Sequence, residues 1–475
     1  MALTLGDLWK ALRAEPWPRE ETVGQPFADV VVDSRLAVEG SLFVALPGER
    51  TDGHLFVTDA FHRGAQAALV QRPVDDCVAL VDVGQQLDAR SPVSLPACFL
   101  VPDTLSALQS LAAYWRRRHP RCRVVGITGS VGKTSTKELI AAVLSQHFST
   151  LKSLGSYNNE IGLPLTMLRL HAGVEWVVQE MGMYALGEIA HLAGIAQPEI
   201  GVVTNVGPTH LERLGSIERI AQAKAELIQA LPPHGLAILN GDDEQVRAMA
   251  SQTRVKSILY YGLESNNDLW ADDVQTHGLE GLRMRFHFRG QSVHARLPIL
   301  GRHSAYGALA AAAVGLSLGL AWDEVISGLQ DESAQVRLLV VPGVRGTTIL
   351  DDTYNASPDS TGAALNLLAE MDGRKIAVLG DMLELGSYEV EGHRLVGRRA
   401  TEVVSVLVTV GKLGQFIAEE AMAAGMPSSA VHAVADNDEA VRVLDHILAE
   451  GDFVLVKGSR GMAMEGIVAE LARGD

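Results

Sequence analysis

The sequence is poor in cysteine, with only Cys77, Cys98 and Cys122 among its 475 residues. Their spacing contains no CxxC pair and no recognisable metal-binding pattern. The low count argues against a disulfide-stapled secreted domain and against a structural zinc module. A sparse, odd number of cysteines is typical of a chain in a reducing compartment, so we expect a cytoplasmic protein.

Basic residues are scarce as well. Lys and Arg number 40 against 57 Asp and Glu, which gives a formal net charge of −17, and the longest basic run is Arg116, Arg117 and Arg118. Such a surface repels nucleic acid, which we do not expect as a partner. An anionic ligand has to be attracted locally instead, by backbone amides, a few basic side chains and metal ions.

Long hydrophobic runs are missing too. The first ten residues lack the basic and then apolar pattern of a signal peptide. The longest uncharged stretch, residues 305–322, is mostly Ala and Gly and is only weakly apolar. Because a bilayer span needs about 20 predominantly apolar residues, we expect a helix buried between domains here and no membrane insertion.

Three regions differ in their patterns, in line with about three domains for a chain of this length. Residues 1–107 hold short strand-like runs (FADVVVDSR, SLFVALPG, AQAALVQR) and a loop-rich stretch at 71–99. Residues 108–320 alternate helical and strand patterns, with antiparallel strands expected at 255–298. Residues 321–475 return to a rhythm of strand and then helix. This alternation predicts an α/β fold built on parallel sheets with crossover helices.

The clearest motif is GITGSVGKT, residues 126–134, between the strand-like run RVVGIT and a helical pattern. Glycines let backbone amides approach an anion, and the N-terminus of the following helix adds partial positive charge. Lys133 can reach the outer phosphates of a nucleotide, and Thr134 can ligate Mg²⁺. The common pattern GxxxxGK[ST] would have Gly where Ile127 stands, so the loop is a GxxGxxGKT variant. The alternative is a glycine-rich turn with a surface lysine.

Polar residues follow two further strand-like runs. Glu180 lies at the end of EWVVQEM, and Asn205 and His210 follow IGVVTNV. Since ligands collect at the carboxyl ends of strands in open parallel sheets, these groups can hold Mg²⁺ directly or through water. Hard cations prefer oxygen to imidazole, and a solvated strand-end charge is the alternative for Glu180. Asn158 and Asn159 in SYNNEIGLP are either site residues or only part of a turn.

Together these motifs resemble those of the Mur ligases, ATP-dependent enzymes that add amino acids to the peptidoglycan precursor. The family pattern GxTGTxGKT resembles residues 126–134, with Ser130 in place of Thr. The patterns NNxxGxP and TNxxxxHL resemble residues 158–164 and 204–211. Three C-terminal strings resemble the member that joins D-alanyl-D-alanine to UDP-N-acetylmuramoyl-tripeptide: DDTYNASPDS (351–360), GDMLELG (380–386) and KGSRGMAME (457–465).

The resemblance covers essentially the whole chain and implies three α/β domains. These are a uridine-nucleotide-recognition domain at 1–107, a central P-loop ATPase-like parallel-sheet domain at 108–320 and a C-terminal Rossmann-like domain at 321–475. It also implies a monomer. The strings VVDSR and SLFVALPGERTDGH contain the residues expected on the UDP side of the substrate, for each of which a turn or capping role is the alternative. They are Ser34, Arg35, Asp52, Gly53 and His54.

By the same resemblance, Lys224 matches a lysine that the family carries as a carbamate bridging a metal. On residue type alone it would be a solvent-facing lysine of the helical segment SIERIAQAKAELI. Carbamylation turns a cation into an anion, which suits a Mg²⁺ site. The expected ligands of two Mg²⁺ ions are therefore Thr134, Glu180, His210 and Lys224. The last three join Lys133 as the expected catalytic residues.

The residues expected to bind ATP lie in the glycine loop and in later segments. They are Gly129, Ser130, Val131, Gly132, Lys133, Thr134, Ser135, Asn159, His303, Arg337 and Asp352. Two departures from the family pattern concern the nucleotide. Ser304 and Gly307 replace the asparagines of GxHNxxN, and Val336 replaces the glycine that usually precedes the arginine.

The implied reaction has two steps. The peptide carboxylate attacks the γ-phosphorus of ATP to form an acyl phosphate, and the amine of D-alanyl-D-alanine then attacks that carbonyl and displaces phosphate. The first step depends on positioning and charge neutralisation, and the second on holding the amine and excluding water. The residues expected on the peptide side are Asn158, Asn355, Lys457, Ser459 and Arg460. Lys457 and Arg460 suit a dipeptide carboxylate or a phosphate, and a solvated basic turn is the alternative.

Other functions stay open at this point. The relative that adds the third amino acid to the dipeptide precursor carries a DNPR string in its diaminopimelate form, and this sequence has none. A folate-polyglutamate ligase shares the glycine loop but lacks the uridine-recognition strings. A non-catalytic nucleotide-binding homologue is the third alternative, although it would have no need for the retained Lys133, Glu180, His210 and Lys224.

Overall fold

The computed structural model describes residues 2–17, 24–48, 51–74, 79–85, 94–334 and 338–472. One of the predicted site residues, Arg337, lies outside the described residues. The chain divides into two compact units. The first unit is made of Met1–Gly126, Ser149–Gly182 and Glu188–Glu199, and the second of Ile127–Phe148, Met183–Gly187 and Ile200–Asp475.

The helices in the described residues are, in chain order, α1 (Leu5–Arg13), α2 (Val57–His62), α3 (Thr104–Arg117), α4 (Lys133–Ser145), α5 (Gly162–Leu168), α6 (Glu188–Ala196), α7 (Leu211–Leu214), α8 (Ile217–Gln229), α9 (Glu244–Ala248), α10 (Ser304–Ser317), α11 (Trp322–Leu329), α12 (Pro358–Ala369), α13 (Glu389–Val403), α14 (Gly414–Ala423), α15 (Asn437–Ile447) and α16 (Glu465–Leu471).

The strands are β1 (Val30–Val31), β2 (Leu42–Val44), β3 (Ala67–Val70), β4 (Leu80–Asp82), β5 (Ala97–Leu100), β6 (Arg123–Thr128), β7 (Thr150–Lys152), β8 (Trp176–Glu180), β9 (Ile200–Val203), β10 (Leu236–Asn240), β11 (Ser257–Gly262), β12 (Leu269–Thr276), β13 (Leu282–Phe288), β14 (Gln291–Leu297), β15 (Leu339–Pro342), β16 (Thr348–Asp352), β17 (Lys375–Gly380), β18 (Val406–Val410), β19 (Val431–Val434) and β20 (Phe453–Lys457).

Within the described residues these strands form three sheets. Their orders are β1-β2-β3-β5-β4, then β14-β13-β12-β11-β10-β9-β6-β8-β7, and finally β15-β16-β20-β17-β18-β19. Parallel pairs dominate, and the inner strands are buried on both faces, as is typical of sheets covered by crossover helices. The predicted α/β fold is therefore confirmed.

The first sheet is parallel throughout, and it corrects one expectation. Residues 71–99 were expected to be loop-rich, yet this stretch contains β4 and the start of β5. Strand β5 pairs in parallel with β3, with Cys98 opposite Ala68, and Cys98 and Phe99 are fully buried. The runs ALVD and ACFL are too short to stand out by periodicity, and pairing with a buried neighbour decided their conformation.

The second sheet combines parallel strands with an antiparallel extension. Strands β12, β13 and β14 pair antiparallel, as expected for part of 255–298. The segment VKSILYYG was expected to belong to this antiparallel set, and this is wrong, because β11 pairs in parallel with β10. The helix α9 and the turn Met249–Gln252 carry the chain back between these two strands, which makes a crossover connection.

The third sheet has parallel strands β16, β20, β17, β18 and β19, with β15 antiparallel at one edge. The strands expected in TTILDDT, RKIAVLGD, VSVLVTVGK and DFVLVKGSR are all present, and a helix follows each of them. Their carboxyl ends carry the C-terminal residues predicted for the site.

Helix α10 confirms a buried helix over most of the uncharged stretch, up to Ser317, and Ala308 through Ala313 have no exposed surface. Its small residues allow close packing on α4, where a Cβ on Gly315 would lie 2.7 Å from a methyl group of Val143. In the part of the chain that the structure describes, no helix combines the length and hydropathy that a membrane span requires. Helix α10 instead supports the helix that follows the glycine loop.

The cysteines match the expectation only in part. Cys122 is a free, buried thiol, and burial raises its pKa to about 11. Cys98 is disulfide-bonded, which the low cysteine count did not indicate. Cys77 lies outside the described residues.

Candidate active site

The glycine loop joins β6 to α4, and the first residue of α4 is Lys133, as predicted. Gly132 caps the helix with a left-handed φ of +85°, and Gly129 has a φ of +152°. A Cβ on Gly129 would overlap Thr204 Oγ1. Glycine is thus required here both by the backbone conformation and by the close approach of the segment after β9.

The segment after β9 braces the loop through hydrogen bonds. Thr204 Oγ1 and Asn205 Nδ2 donate to the carbonyl of Val131 at 2.7 and 3.0 Å, and the amide of Val131 donates to Asn205 Oδ1 at 2.9 Å. Ser130 Oγ exchanges hydrogen bonds with the backbone of Gly207 at 3.0 and 2.8 Å. The loop is therefore preorganised by protein contacts, which is what an anion cradle of backbone amides needs.

Lys133 lies over its own loop. Its Nζ donates to the carbonyls of Gly129 at 2.8 Å and Ser130 at 3.1 Å. Thr134 follows in the first turn of α4 and is buried, and Ser135 lies beside it. A cation and a hydroxyl therefore lie at the helix N-terminus, where partial positive charge favours phosphate.

Lys224 is buried in the middle of α8, with 2% of its surface exposed, which overturns the view of it as a solvent-facing lysine. Burial lowers its pKa well below the ordinary value, and the charge of Lys133 lowers it further. A neutral amine is the form that reacts with CO₂, and the resulting carbamate would be an anion next to a cation. The surroundings of Lys224 therefore fit a carbamate better than an ammonium.

His210 has a left-handed backbone with a φ of 58°, and its Nδ1 lies 2.8 Å from Glu384 Oε2. The pairing lowers the pKa of Glu384, and Tyr184 meets the His210 ring edge-on at 5.2 Å. Sequence reasoning missed Glu384, although a carboxylate shortly after a parallel strand was the same signal that singled out Glu180.

Glu180 is almost fully buried at the end of β8, as predicted for a strand-end carboxylate, and it is not a solvated charge. Asn158 Nδ2 donates to Glu180 Oε1 at 2.8 Å. Asn159 Oδ1 accepts from the amide of Gly162 at 2.9 Å, at the start of α5. The first asparagine therefore orients the carboxylate, and the second stabilises a turn.

The residues predicted from the third region meet at the ends of β16 and β20. Lys457 is 2% exposed, and its Nζ donates to Asp352 Oδ2 at 2.5 Å and to the carbonyl of Asn355 at 2.9 Å. Lys457 is thus not part of a solvated basic turn, and Asp352 already balances its charge. Ser459 Oγ accepts from the amide of Leu383 at 2.9 Å, so it also serves the backbone of the site.

Arg460 of this group is accessible, and so is His303 of the second region, which lies near Asp352 and Lys457. Arg460 is exposed, and its guanidinium lies 5.5 Å from the centre of the Tyr354 ring. His303 also keeps an exposed side chain, yet enough protein surrounds it to lower its pKa, with Asp352 and Lys457 acting on it in opposite directions. A side chain that keeps exposed surface although protein surrounds much of it is typical of one that lines a recess.

In the first unit, the residues expected on the UDP side form two turns. Asp52 Oδ1 lies 2.6 Å from His54 Nδ1, and its other oxygen accepts from Arg72 at 2.6 Å. His54 is buried, and its Nε2 accepts from the amide of Gln71 at 2.8 Å, so both ring nitrogens contact protein. A Cβ on Gly53 would lie 2.7 Å from the amide nitrogen of Leu46, which explains the glycine.

The other turn carries Ser34 and Arg35. Ser34 is buried, whereas the Arg35 side chain is 80% exposed and pairs with Asp33 at 2.6 Å. Arg35 therefore remains available to an anionic ligand, while Ser34 and His54 can act mainly by shaping the backbone around it.

Among the described residues, no group of three His, Cys, Asp or Glu side chains is arranged to hold a metal ion. The set expected for Mg²⁺ contains only two residues of these types, Glu180 and His210. Its other members are Thr134 and Lys224, the second of which acquires an oxygen ligand only as a carbamate.

Comparison with known proteins agrees with these features. Family models match residues 27–115 (Mur ligase family, catalytic domain), 127–315 (Mur ligase middle domain) and 336–460 (Mur ligase, glutamate ligase domain). The UDP-N-acetylmuramoyl-tripeptide–D-alanyl-D-alanine ligase of Bacillus subtilis is 39% identical over 448 residues, which cover 93% of this chain and 92% of that protein.

Solved structures agree as well. MurF from Acinetobacter baumannii superposes with a TM-score of 0.83 at 29% identity, over 98% of both chains. The MurF ligase of Thermotoga maritima in complex with ADP has a TM-score of 0.76 at 29% identity, over 94% of this chain and 97% of that one. The braced glycine loop, the buried lysine of α8 and these similarities over nearly the full length lead to one conclusion: this chain belongs to the Mur ligase family.

Proposed function

We propose that this chain joins D-alanyl-D-alanine to UDP-N-acetylmuramoyl-tripeptide, with ATP converted to ADP and phosphate. The product is UDP-N-acetylmuramoyl-pentapeptide, and the intermediate is an acyl phosphate. One observation carries the proposal above the others. The glycine loop is held by Thr204 and Asn205 in a conformation suited to a polyphosphate, and Lys133 and the buried Lys224 lie beside it. The relatives with high similarity are named for this reaction, and one of them was solved with ADP.

In the first step, the loop must hold the β- and γ-phosphates while a second anion, the peptide carboxylate, approaches. The amides of residues 129–135 and the Lys133 ammonium supply the positive charge that offsets this repulsion. Asn159 and Asp352 serve the nucleotide indirectly, through the turn and the ion pair described above. His303 lies near that ion pair. Arg337 is proposed as a further nucleotide contact on the sequence pattern alone.

Two Mg²⁺ ions, with ligands from Thr134, Glu180, His210 and the carbamate of Lys224, would screen phosphate charge and polarise the transferred group. The residues present fit this proposal, since burial favours the neutral amine of Lys224. Glu180 is oriented by Asn158 and His210 is paired with Glu384, so both candidate ligands are held by outer partners.

In the second step, the amine of the dipeptide must reach the acyl carbon with water excluded. Arg460 is the exposed cation proposed to receive the dipeptide carboxylate, and Lys457, Asp352 and Ser459 hold the two turns around it. On the other side of the substrate, Arg35 is proposed to contact the UDP diphosphate. Ser34, Asp52, Gly53 and His54 would maintain the turns around it.

We further propose the domain limits 1–107, 108–320 and 321–475, which enclose the three matching family models except where the first model extends to residue 115. The protein is proposed to act as a monomer in the cytoplasm, where ATP and a UDP-linked precursor are at hand. Light scattering of the pure protein tests the first of these two statements.

Phosphate release tests the function. The protein is incubated with ATP, Mg²⁺ and UDP-N-acetylmuramoyl-tripeptide, in its diaminopimelate or lysine form, with and without D-alanyl-D-alanine. Release that requires the dipeptide, with a matching pentapeptide mass, is the expected result. Lys133→Ala is the control and should slow turnover about 100-fold or more, the usual effect of removing a group that stabilises transition-state charge. No release with either tripeptide would contradict the substrate, and the dipeptide precursor with a free third amino acid would be assayed next.

A further inference from the structure

Asp359 is a carboxylate that has no role in the two reaction steps proposed above. It is the second residue of α12, after the N-cap Ser357, in the string DDTYNASPDS. Its Oδ2 lies 3.0 Å from the point that a Cβ on Gly207 would occupy, and the same point is 3.6 Å from Ser130 Cβ. The side chain thus reaches from the C-terminal region of the chain to the segment that braces the glycine loop.

The environment of Asp359 disfavours its charge. The side chain keeps exposed surface, yet the protein around it removes enough water to raise the pKa of the carboxyl. An acidic residue in the first turn of a helix is ordinarily stabilised by the helix dipole. Here the loss of water outweighs that stabilisation. No cation among the described residues compensates for it.

The other carboxylates of the site are already engaged. Asp352 is paired with Lys457 at 2.5 Å, and Glu384 with His210 at 2.8 Å. Asp359 is therefore the carboxylate of this group that is oriented toward the glycine loop and still lacks a positive partner. A cationic ligand group would gain from binding there, because a partly desolvated anion attracts it more strongly than a fully solvated one.

The proposed reaction brings one such group to this place. At neutral pH the amine of a dipeptide is mostly an ammonium, since an α-amino group has a pKa of about 7.7–8.0. The acyl phosphate that it attacks is formed where the γ-phosphate was held, at the glycine loop. Resting on the ligase function proposed above, we infer that Asp359 binds the ammonium group of the incoming D-alanyl-D-alanine and accepts its proton.

The proton and electron movements balance. One N–H proton of the ammonium passes to the Asp359 carboxylate, and the freed lone pair forms the C–N bond to the acyl carbon. The C–O bond to phosphate then breaks, and its electron pair leaves with the phosphate. The phosphate takes up the second N–H proton, and Asp359 returns the first to water. The products are the amide, monohydrogen phosphate and one released proton.

The test compares two acceptors of the acyl group in Asp359→Asn. Hydroxylamine is largely uncharged at neutral pH, so its trapping of the acyl phosphate as a hydroxamate needs no base. D-Alanyl-D-alanine needs one. We expect hydroxamate formation from ATP and UDP-N-acetylmuramoyl-tripeptide to stay within about three-fold of the wild-type rate. Ligation of the dipeptide should fall about 100-fold or more in kcat, the usual size of a general-base effect.

The pH profile adds a signature that a merely structural role would not produce. Above about pH 8 the dipeptide amine is neutral in solution. The deficit of Asp359→Asn should therefore shrink as pH rises, and Asp359→Glu should recover part of the activity at pH 7. Asp323→Asn is the matched control, because Asp323 is exposed and occupies the same second position of α11. It should ligate like the wild type.

Three results would overturn the inference: an equal loss of hydroxamate and amide formation, a change confined to KM with an unaltered pH profile, or normal ligation by Asp359→Asn. Failure of the proposed function would give a different result: the wild-type protein itself would form no amide with D-alanyl-D-alanine, whatever the variant does. A melting temperature of Asp359→Asn within a few degrees of the Asp323→Asn value shows that the variant is folded.

Discussion

Gly129 offers the sharpest test of how the glycine loop is built. In Gly129→Ala the new methyl group would overlap Thr204 Oγ1, and it would lie 3.0 Å from Thr204 Cβ and 3.2 Å from the amide nitrogen of Asn205. The backbone φ of +152° is also one that alanine rarely adopts. The substitution therefore adds backbone strain and pushes the loop away from the residues that brace it.

The expected cost can be worked out from these two effects. A residue held in a sparsely populated backbone region costs about 1–3 kcal/mol. Displacing Thr204 breaks its 2.7 Å hydrogen bond to Val131, worth about 1 kcal/mol net. The two effects add up to about 2–4 kcal/mol. If this whole cost destabilises the loop conformation that binds the nucleotide, the affinity for the nucleotide falls by roughly 30-fold to 1,000-fold.

Calorimetric titration with ADP and Mg²⁺ measures this loss directly. Gly132→Ala is the matched comparison. The φ of Gly132 is +85°, but the nearest atom to its Cβ is Thr136 Oγ1 at 4.0 Å, so it should lose only about 1 kcal/mol. In a Thr204→Ala background, Gly129→Ala should cost less than it does in the wild type. An unchanged ADP affinity in Gly129→Ala, or equal losses at the two glycines, would refute the reasoning.

Three further predictions concern ionisable side chains. Lys224→Met keeps the buried volume without a nitrogen to carbamylate, so it should fold normally and lose at least about 100-fold in phosphate release; an active variant would rule out the carbamate. Hydrogen bonds from His54 hold the pKa of Asp52 below its ordinary value of about 3.9. The ionised Asp52 carboxylate therefore stabilises the folded state above about pH 4, and this stabilisation is lost as the pH falls through the pKa of Asp52 in the folded protein. The difference in melting temperature between the wild type and Asp52→Asn should accordingly narrow below about pH 4. Lys457→Met leaves Asp352 unpaired, so it should lower the free energy of unfolding in urea by about 3–5 kcal/mol, whereas adding Asp352→Asn should recover part of that loss.

The central features of the site could be predicted because their signals are local. The glycine loop, its strand and its helix lie within about twenty residues, and the structure has each of them where the sequence indicated. The roles of Lys457 and His54 could not be predicted in the same way. Both were singled out as residues for ligands, yet Lys457 is ion-paired with Asp352 and His54 uses both ring nitrogens on protein groups. Residue type does not show which partner occupies a side chain.

The sequence by itself determined the α/β alternation, the position of the phosphate loop and the resemblance to the Mur ligases. These depend on short-range patterns of glycine, apolar spacing and strand-end polar residues. Only the tertiary structure decided how each ionisable side chain is paired and how far its pKa is shifted. Burial lowers the pKa of Lys224, Glu384 reaches His210, and Asp359 lies beside the braced loop without a cation. The physical reason is that ionisation depends on the water and charge around a group, and those are set by segments that lie far apart in the chain.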